Sequence, residues 1–391
     1  MLQSIQMRNL LSFGPESDVI PLDRLNVVIG PNASGKSNLL EAIALLQSAP
    51  GQINQPIREG GGVRDWLWKG TEGTPIAMIE VVIDTPCGDD RPGQPLRYRI
   101  EFTESGKRFE IVDERIENAQ PYPGHENPYF YYRYQNNRPV LNVKDVGERT
   151  LKREDIDPER SILAQRRDPD SYPEITRLAE TLSDIRIYRD WALGRYTAPR
   201  TPQPADLPNR WLEPDARNLG LVLNRLRLRQ QTRDRLLDAF RAVYAEARDL
   251  DVTIESGRVQ VLVEEDRFFV PATRLSDGTL RYLCLLAVLC DDDPPPLVCI
   301  EEPELGLHPD LTHRIADLLL DASERTQLIV TTHSPALVDA FHDNAGFVRV
   351  CEKADGGTQV KRLDPDRLKP WLEKYRLGEL WTSGEIGGTR W

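Results

Sequence analysis

An α/β fold is predicted for this 391-residue chain because short apolar runs suited to buried strands alternate with helical patterns. Three apolar runs, at residues 25–29, 297–300 and 328–332, each lead directly into polar residues. Apolar side chains at helical spacing occur at residues 38–46 and 280–289. Short apolar runs bounded by polar or turn residues are typical of buried strands. The polar residues after these strands are therefore the first candidates for a functional site.

The segment after the first strand, residues 30–37, reads Gly-Pro-Asn-Ala-Ser-Gly-Lys-Ser and fills every required position of the pattern G-x-x-x-x-G-K-[ST]. A strand–loop–helix unit directs successive backbone N–H groups and the positive end of a helix at one point, which suits a polyphosphate. Lys36 would reach the β- and γ-phosphates, and Ser37 would ligate Mg²⁺. The alternative is a glycine-rich turn in an ordinary α/β unit. The sequence predicts that the chain binds a nucleoside triphosphate.

A second part of this site is predicted where the strand at residues 297–300 runs into Glu301 and Glu302. A phosphate-binding loop requires a metal-organising acid at the end of another strand. Paired carboxylates supply one acid for the Mg²⁺ shell and one beside the attacking water. We assign the first role to Glu301 and the second to Glu302. The alternative is an acidic turn after a buried strand.

Two further stretches lie on either side of the paired acids. Upstream, Ser276 and Gly278 open the helical run at residues 280–289, which would form a second anion-binding helix N-terminus. Taken alone, this stretch is a common turn or helix cap. Downstream, His333 follows the strand at residues 328–332. A lone His at such a position is more often structural, so His333 indicates a functional site only together with the other three motifs.

The order of the motifs resembles that of ATP-binding-cassette (ABC) ATPases of the SMC/RecF-like branch. Within that branch, the chain looks like predicted bacterial AAA-family ATPases related to the OLD-family ATPase domain, without the appended Toprim nuclease. The resemblance covers nearly the whole chain and includes residues 2–13, 302–309, 377–381 and 384–388. It implies a P-loop NTPase fold of the ABC head type, with a mixed or antiparallel β lobe and a helical lobe.

The resemblance also implies that ATP and Mg²⁺ are sandwiched between two chains in a head-to-tail dimer. Ser276 and Gly278 of one chain would contact the γ-phosphate held by the other, and residues 304–309 would cross the dimer seam. Glu302 would polarise water, and His333 would sense the γ-phosphate. The residues carried over to the nucleotide within one chain are Gly30, Asn32, Ala33, Ser34, Gly35, Lys36, Ser37 and Asn38.

Gln165 is the candidate for the glutamine that links Mg²⁺ to the second lobe in this family, and a surface glutamine at a helix start is the alternative. Three residues depart from the family pattern. Ala33 replaces a common Gly, which is harmless if its φ is negative. Asp277 stands where Gly is usual and brings an acid near the partner's phosphates. Glu301 stands where Asp is usual, so its extra methylene can alter the metal geometry.

Composition limits the classes of partner. The formal net charge of −12 argues against a wholesale polyanion binder. The start of the chain lacks a signal peptide pattern, and no run approaches the ~20 apolar residues of a membrane span. We therefore expect a cytoplasmic protein that does not bind membranes. The cysteines are interpreted as buried hydrophobes in a reducing compartment, with neither disulfides nor a zinc site; they are Cys87, Cys284, Cys290, Cys299 and Cys351.

The long separation between the P-loop and the paired acids indicates an insertion. We divide the chain into residues 1–195, 196–270 and 271–391. The first unit carries the P-loop and antiparallel strands over residues 76–118, and the second a Pro-rich linker and an Arg-rich helical stretch. The third unit carries the remaining motifs and the tail. Heptads are not sustained over the three or four repeats that a coiled coil needs, so long SMC-type arms are not expected.

Two stretches are candidates for a nucleic-acid-binding surface. A hairpin is predicted from residues 129–134, a turn at residues 136–137, and residues 139–143. Its aromatic and Arg residues suit either base stacking or an ordinary two-faced strand, which is favoured. Residues 218–248 are predicted to be helical with a break near residues 230–232. Arg225, Arg229 and Arg233 would share one face, as a DNA contact or as a solvated face with ion pairs.

The leading hypothesis is an ABC-type ATPase whose ATP-driven homodimer, or higher homo-oligomer, acts as a switch. It would act on DNA or on an associated effector, a nuclease or a toxin, in bacterial anti-phage defence. The alternatives are a RecF-like DNA-repair or maintenance ATPase and a non-hydrolysing nucleotide sensor that serves as an interaction module. The preference for ATP over GTP comes from the resemblance alone.

Overall fold

The computed structural model describes residues 1–84, 94–135, 138–143, 147–151 and 155–388. Its strands are β1 (Leu2–Arg8), β2 (Ile20–Pro21), β3 (Leu25–Ile29), β4 (Ala77–Ile83), β5 (Leu96–Ser105), β6 (Arg108–Asn118), β7 (Phe130–Gln135), β8 (Arg138–Val143), β9 (Gly147–Thr150), β10 (Arg186–Tyr188), β11 (Gln203–Pro204), β12 (Asp249–Glu255), β13 (Arg258–Glu264), β14 (Phe269–Pro271), β15 (Leu297–Glu301), β16 (Gln327–Thr331), β17 (Val348–Ala354) and β18 (Gly357–Arg362). Its α-helices are α1 (Lys36–Ser48), α2 (Asn54–Glu59), α3 (Val63–Trp66), α4 (Ile162–Gln165), α5 (Pro173–Ser183), α6 (Leu219–Arg227), α7 (Gln230–Arg241), α8 (Asp277–Leu289), α9 (Thr312–Ser323), α10 (Pro335–Asp339), α11 (Pro365–Leu372) and α12 (Leu377–Thr382). Short 3₁₀ turns lie at Ala272–Arg274, Pro309–Leu311 and His342–Phe347.

A six-stranded sheet with the order β10-β15-β16-β3-β17-β18 positions the motifs. Its first five strands are parallel, and β18 is antiparallel to β17. The register pairs Glu301 with Thr331 and Thr331 with Val28, so β15, β16 and β3 end at the same edge. All three predicted motif-bearing strands are confirmed. The segments that follow them are brought together because the carboxyl ends of parallel strands share one edge of the sheet.

The two faces of this sheet are covered by different hydrophobic cores because successive side chains of a strand point to opposite faces. Val27 and Ile29 pack in the core that contains α6, α8 and α9. Val28 between them packs in the core that contains α1, α5 and the antiparallel strands. β3 is buried along its whole length, so the strand that leads into the P-loop is held from both sides.

An antiparallel sheet with the order β2-β1-β4-β5-β6-β7-β8-β9 covers the α1 side of the molecule. The strands expected over residues 76–118 are confirmed as β4, β5 and β6. The predicted hairpin is confirmed as β7 and β8, and its turn at residues 136–137 lies outside the described residues. Tyr132 and Tyr134 are buried, whereas Tyr131 is half-buried and donates to Asn118 Oδ1 at 2.9 Å. The hairpin is therefore a two-faced strand pair of this sheet.

The middle part of the chain forms a smaller sheet in which β13 pairs with β11, β12 and β14. The helical prediction for residues 218–248 needs correction. α6 ends at Arg227, extended backbone at Arg229 (φ −100°, ψ 117°) breaks the helix, and α7 ends at Arg241. The break falls slightly earlier than expected, and residues 242–248 are not helical because the chain turns there into β12.

Helix lengths agree with the expected ABC-head architecture. The longest helices in the described ranges, α1 and α8, have 13 residues each. No long coiled coil is present in this part of the chain. No helix in it has both the length and the apolar character required to cross a membrane. The described cysteines are buried with free thiols, and Cys87 lies outside the described residues.

The division into three units remains a prediction. The six-stranded sheet takes β3 and β10 from the first unit and its other strands from the third. The smaller sheet is built mainly from the middle unit.

Candidate nucleotide-binding site

The P-loop lies between β3 and α1 and presents an uncapped helix start. Gly35 caps α1 without a side-chain hydrogen bond, and the first turn of the helix carries no acidic residue. Lys36 is 5% exposed, and its ammonium donates to the carbonyl oxygens of Gly30 (2.8 Å) and Pro31 (3.0 Å). Burial lowers the pKa of Lys36, and nearby negative groups, including Glu301 and Glu302, oppose this effect. Uncapped N–H groups beside a buried cation fit a polyanion such as a triphosphate.

The wall behind the loop is formed by β18 and by the loop after β1. Gly35 has φ +111°, and a Cβ atom there would lie 2.3 Å from Thr358 Oγ1, so only glycine fits. Thr358 donates to the carbonyl oxygen of Ser34 at 2.8 Å. Asn38 Nδ2 donates to Ser12 Oγ at 2.7 Å. Ser12 and Thr358 were missed by the sequence reasoning because no local motif links them to a loop far away in the chain.

Within the loop, Asn32 and Ala33 are exposed, whereas Ser34 is 1% exposed. The Ser34 hydroxyl has no hydrogen-bond partner in the described part of the chain. Ala33 is a harmless replacement for Gly only if its φ is negative. That condition is not met, because Ala33 has φ +64°. A residue with a Cβ atom therefore occupies the left-handed region, which costs about 1–2 kcal/mol.

Ser37 and Glu301 meet directly. The Ser37 hydroxyl at the start of α1 donates to Glu301 Oε1 at the end of β15, with an O···O distance of 2.5 Å. A hydroxyl and a carboxylate are the hard oxygen ligands that Mg²⁺ prefers, and this ion commonly takes one or two protein ligands together with phosphates and waters. The donor set therefore fits Mg²⁺ bound with a nucleotide, and Ser37 and Glu301 would hold it.

Glu302 and His333 lie next to this pair. Glu302 has φ +47°, and its backbone N–H donates to the carbonyl oxygen of Thr331 at 2.9 Å. Its Oε1 lies 3.8 Å from His333 Nε2. Burial lowers the pKa of His333, and the Lys36 charge adds to this effect, while Glu302 and Glu301 oppose it. Strained backbone clusters at functional sites, so the conformation of Glu302 agrees with a working role for this carboxylate.

The loop after Glu302 is hydrogen-bonded to the segment before His333 at one end and is exposed on the molecular surface at the other. The Thr332 hydroxyl donates to Glu304 Oε1 and accepts from the Ser334 backbone N–H at 2.9 Å. Burial raises the pKa of Glu304. Leu305 is 51% exposed, and a Cβ atom built on Gly278 would lie 3.3 Å from the carbonyl oxygen of Gly306. Residues 304–309 and the Ser276–Gly278 stretch therefore form one continuous surface.

In that stretch, Ser276 caps α8 by accepting from the Thr279 backbone N–H at 3.0 Å, and its side chain is exposed. Asp277, the acid expected near the partner's phosphates, has a counter-charge within its own chain. Arg200, buried to 8% exposure, forms an ion pair with the Asp277 carboxylate. Arg200 also donates to the backbone carbonyls of Leu275 and Leu193. A cation from the Pro-rich segment thus holds the Ser276–Gly278 stretch and neutralises its acid.

Gln165 is engaged in a local turn. Its side-chain amide accepts from the Asp157 backbone N–H (2.9 Å) and donates to the Arg160 carbonyl oxygen (2.7 Å). Two residues later, Arg167 donates to the carbonyl oxygen of Pro50, just beyond the C-terminal end of α1. The 13 residues of α1 span about 20 Å, and Ser37 lies at the other end. These contacts favour the alternative of a glutamine at a helix end, and the Mg²⁺ role of Gln165 stays a prediction.

The three arginines predicted to share one helical face have a different arrangement in the fold. Arg225 pairs with Asp291, Arg229 with Asp292 and Arg233 with Asp249. The break between α6 and α7 separates Arg225 from Arg233, so the three side chains do not form one continuous helical face. The ion-paired alternative describes them, but the acids come from distant loops and strands rather than from the next helical turn.

Comparison with known proteins decides the family. The family described as "AAA domain, putative AbiEii toxin, Type IV TA system" matches residues 25–339, which contain the P-loop, the Ser276–Gly278 stretch, both acids and His333. This chain belongs to that family. Together with its other relatives, this match identifies an ABC-type ATPase of the SMC/RecF-like branch, as the resemblance implied.

Several curated proteins are similar to part of this chain. It is 30% identical over 109 residues to the energy-coupling factor transporter ATP-binding protein EcfA2 of Lactobacillus acidophilus, covering 27% of this chain and 35% of that protein. It is 26% identical over 117 residues to the phosphate import ATP-binding protein PstB of Pyrobaculum aerophilum, covering 30% and 46%. It is 28% identical over 127 residues to the Old nuclease of Escherichia phage P2, covering 29% and 22%. The chain thus spans less than half the length of these relatives.

Solved structures agree with the fold. A crystal structure of an SMC head bound to the C-winged helix domain of ScpA superposes with a TM-score of 0.55 at 16% identity, covering 94% of this chain and 99% of that one. An Smc head with an extended coiled coil, bound to the C-terminal domain of ScpA from Pyrococcus furiosus, gives 0.55 at 14% identity, covering 95% and 98%. The predicted P-loop fold of the SMC head type is confirmed.

Proposed function

We propose that this chain binds and hydrolyses ATP with Mg²⁺ and that ATP joins two copies head to tail, so that nucleotide turnover acts as a switch. The observation that carries the proposal is the contact between Ser37 and Glu301, with Glu302 and His333 beside it. The uncapped start of α1 and the buried Lys36 supply the positive field that a triphosphate needs.

Each residue has a distinct role in this proposal. Bound Mg²⁺ would supply Lewis-acid polarisation of phosphate oxygens. Glu302 accepts the proton of the attacking water, which is the role its position after the metal-facing Glu301 suits. His333 is neutral at pH 7 because its pKa is lowered. Its imidazole can therefore donate or accept a hydrogen bond in the site without adding a charge. Lys36 balances the charge of the phosphates.

Dimerisation is supported by the surface around Ser276. Ser276 and the residues near Leu305 are exposed and adjacent, and they leave an apolar side chain beside glycine backbone open to a second chain. A nucleotide that contacts both chains favours the closed dimer by its differential affinity for the two states, and hydrolysis removes that preference.

The test is the mass in solution of the wild type and Glu302→Gln, with and without Mg·ATP. We expect Glu302→Gln to remain a dimer, or a higher assembly, while ATP is present, and to lose phosphate release by about 10²–10⁴-fold. Glu72→Gln is the matched control, because Glu72 is an exposed glutamate without an ion pair in the described part of the chain. It should behave as the wild type does.

Two outcomes would change the proposal. If the mass never responds to nucleotide, the switch fails for the isolated chain. If the wild type dimerises with ATP but releases no phosphate, the chain is a non-hydrolysing sensor, and the role given to Glu302 is wrong.

The biological context proposed for the switch is anti-phage defence through an associated nuclease or toxin. Support comes from the matched family, whose description names a toxin of a type IV toxin–antitoxin system, and from partial similarity to the Old nuclease. Phage plaque counts on cells that carry the gene with its native neighbours should rise when Lys36 is changed to Ala. Equal plaque counts for the two strains would remove this context.

A RecF-like role on DNA is the weaker candidate, because Arg225, Arg229 and Arg233 each already have a carboxylate partner. Its test is the salt dependence of DNA binding by Arg229→Gln and Arg233→Gln. Arg225 is left unchanged, because its partner Asp291 is 3% exposed and would remain buried without a counter-charge. A reduced slope of log affinity against log salt would support DNA contact at these residues.

A further inference from the structure

The tail motif at residues 377–388 has no role in the proposed reaction, yet it contacts two parts of the site. We infer that this segment, here named the C-terminal brace, is a positioning element that ties the helix after His333 to the first glycine of the P-loop. The inference rests on the proposed function, because it concerns the same nucleotide site.

One end of the brace is fixed to α10, which begins two residues after His333. The Gly378 backbone N–H donates to Asp339 Oδ1 at 2.6 Å. A Cβ atom on Gly378 would lie 2.4 Å from the carbonyl oxygen of Pro335. α12 can therefore approach the start and the end of α10 this closely only because residue 378 is glycine. Any displacement of α10 is transmitted directly to α12.

The other end of the brace is fixed to β17 and reaches the P-loop. The Gly388 backbone N–H donates to Glu352 Oε1 at 2.7 Å, and its carbonyl oxygen accepts from Trp381 Nε1 at 3.0 Å. Gly388 has φ +69°, and a Cβ atom there would lie 2.8 Å from Val350 Cγ1 and 3.5 Å from Gly30 Cα. Residue 388 therefore lies within van der Waals reach of the first residue of the P-loop.

Gly30 is also close to β17 itself. A Cβ atom on Gly30 would lie 2.2 Å from the carbonyl oxygen of Cys351, in the strand to which Gly388 is bonded. β17 and the brace thus both pack against Gly30. Because the Lys36 ammonium bonds to the Gly30 carbonyl oxygen, the position of Gly30 also sets the resting position of Lys36.

Trp381 is the anchor of this arrangement. It is 6% exposed, lies in the core that covers the α8 and α9 face of the six-stranded sheet, and bonds across the turn that returns the chain to Gly388. Its N–H group fixes Gly388 while its ring fixes α12. Replacing Trp381 by Phe removes the hydrogen bond to Gly388 and retains most of the packing of the ring. The variant therefore separates the positioning of Gly388 from a general loss of stability.

The experiment compares Trp381→Phe with Trp371→Phe, since Trp371 on α11 is 45% exposed. The readouts are the Kd of a fluorescent ATP analogue, the KM and kcat of hydrolysis, and the amide hydrogen exchange of residues 30–35 and 335–339. For Trp381→Phe we expect a Kd and KM about five- to tenfold higher, a kcat within about twofold, and faster exchange in both segments. Trp371→Phe should leave all of these unchanged. Gly388→Ala should give the larger effect of the same kind.

The inference is overturned if Trp381→Phe lowers the melting temperature while the analogue Kd and the exchange of both segments stay at wild-type values. Its failure is distinguishable from that of the proposed function, which is tested by the nucleotide response of the wild type. Exchange at residues 30–35 and 335–339 needs no nucleotide, so it tests the brace even if the wild type does not turn over. If Gly388→Ala does not fold, Trp381→Phe carries the test.

Discussion

Ser37 and Glu301 share a hydrogen bond of 2.5 Å although 264 positions separate them in the chain. The serine lies in the first turn of α1 and the glutamate ends β15. β15 and β3, the strand that leads into α1, are the two neighbours of β16 in one parallel sheet. The Glu301 carboxylate thus reaches the serine hydroxyl directly.

Shortening Glu301 should weaken metal binding. Glu301→Asp withdraws the carboxylate by roughly one C–C bond, about 1.5 Å, so its contact with Ser37 is lost. We expect the Mg²⁺ concentration for half-maximal ATPase activity to rise several-fold, with nucleotide affinity in EDTA unchanged. Ser37→Ala should produce a similar shift. An unchanged Mg²⁺ titration for Glu301→Asp would contradict the assignment of Glu301 to the metal.

The lowered pKa of His333 predicts a specific pH dependence. Because the folded pKa lies below the usual 6.5, the folded state disfavours the imidazolium form, and the unfolded chain binds more protons as the pH falls. Nucleotide-free protein should therefore lose stability on acidification below about pH 6.5, and His333→Asn should lose less. Melting temperatures from pH 8 to pH 5.5 measure the difference. Identical pH profiles for the two proteins would refute the prediction.

The left-handed conformation of Ala33 predicts a stabilising substitution. Ala33→Gly relieves about 1–2 kcal/mol of backbone strain and loses about 0.4–1 kcal/mol through the more flexible unfolded chain, so a net gain of between zero and about 1.6 kcal/mol is expected. Urea unfolding measures it. Ser256→Gly is the control for the backbone effect, since Ser256 is exposed, has φ +49° and lies outside the site. A loss of stability in Ala33→Gly would show that the loop depends on the alanine methyl group.

The ion pair between Arg200 and Asp277 predicts that loss of Arg200 weakens dimerisation and leaves nucleotide binding by the monomer intact. Arg200→Ala leaves two backbone carbonyls without their donor and frees the stretch that carries Ser276. We expect a stability loss of about 1–3 kcal/mol, an ATP-dependent dimer weakened at least tenfold, and nucleotide affinity of the monomer unchanged. Arg267→Ala, in the exposed turn before β14, is the matched control. Dimerisation at wild-type strength would mean that Arg200 only supports the fold.

Local signals were sufficient for the elements and for the P-loop. The octet at residues 30–37, the apolar strands around it and the helical spacing after it are each contained within a few residues, and the structure has them where the sequence predicts them. The alternation over residues 76–118 likewise predicted three strands of one antiparallel sheet. These patterns predict helices and strands because backbone hydrogen bonding and burial repeat with fixed periods along the chain.

The sequence by itself determined that this chain carries a P-loop motif in a strand–loop–helix unit, with paired acids at the end of another strand. Tertiary structure alone decided what each polar side chain contacts. It joined Glu301 to Ser37, gave Asp277 a cation from residue 200, assigned carboxylates to the three arginines predicted to share one helical face, and tied Gln165 to a local turn. The physical reason is that such contacts have no period along the chain, since they arise only when the sheet register and the packing of loops bring distant residues within hydrogen-bonding distance.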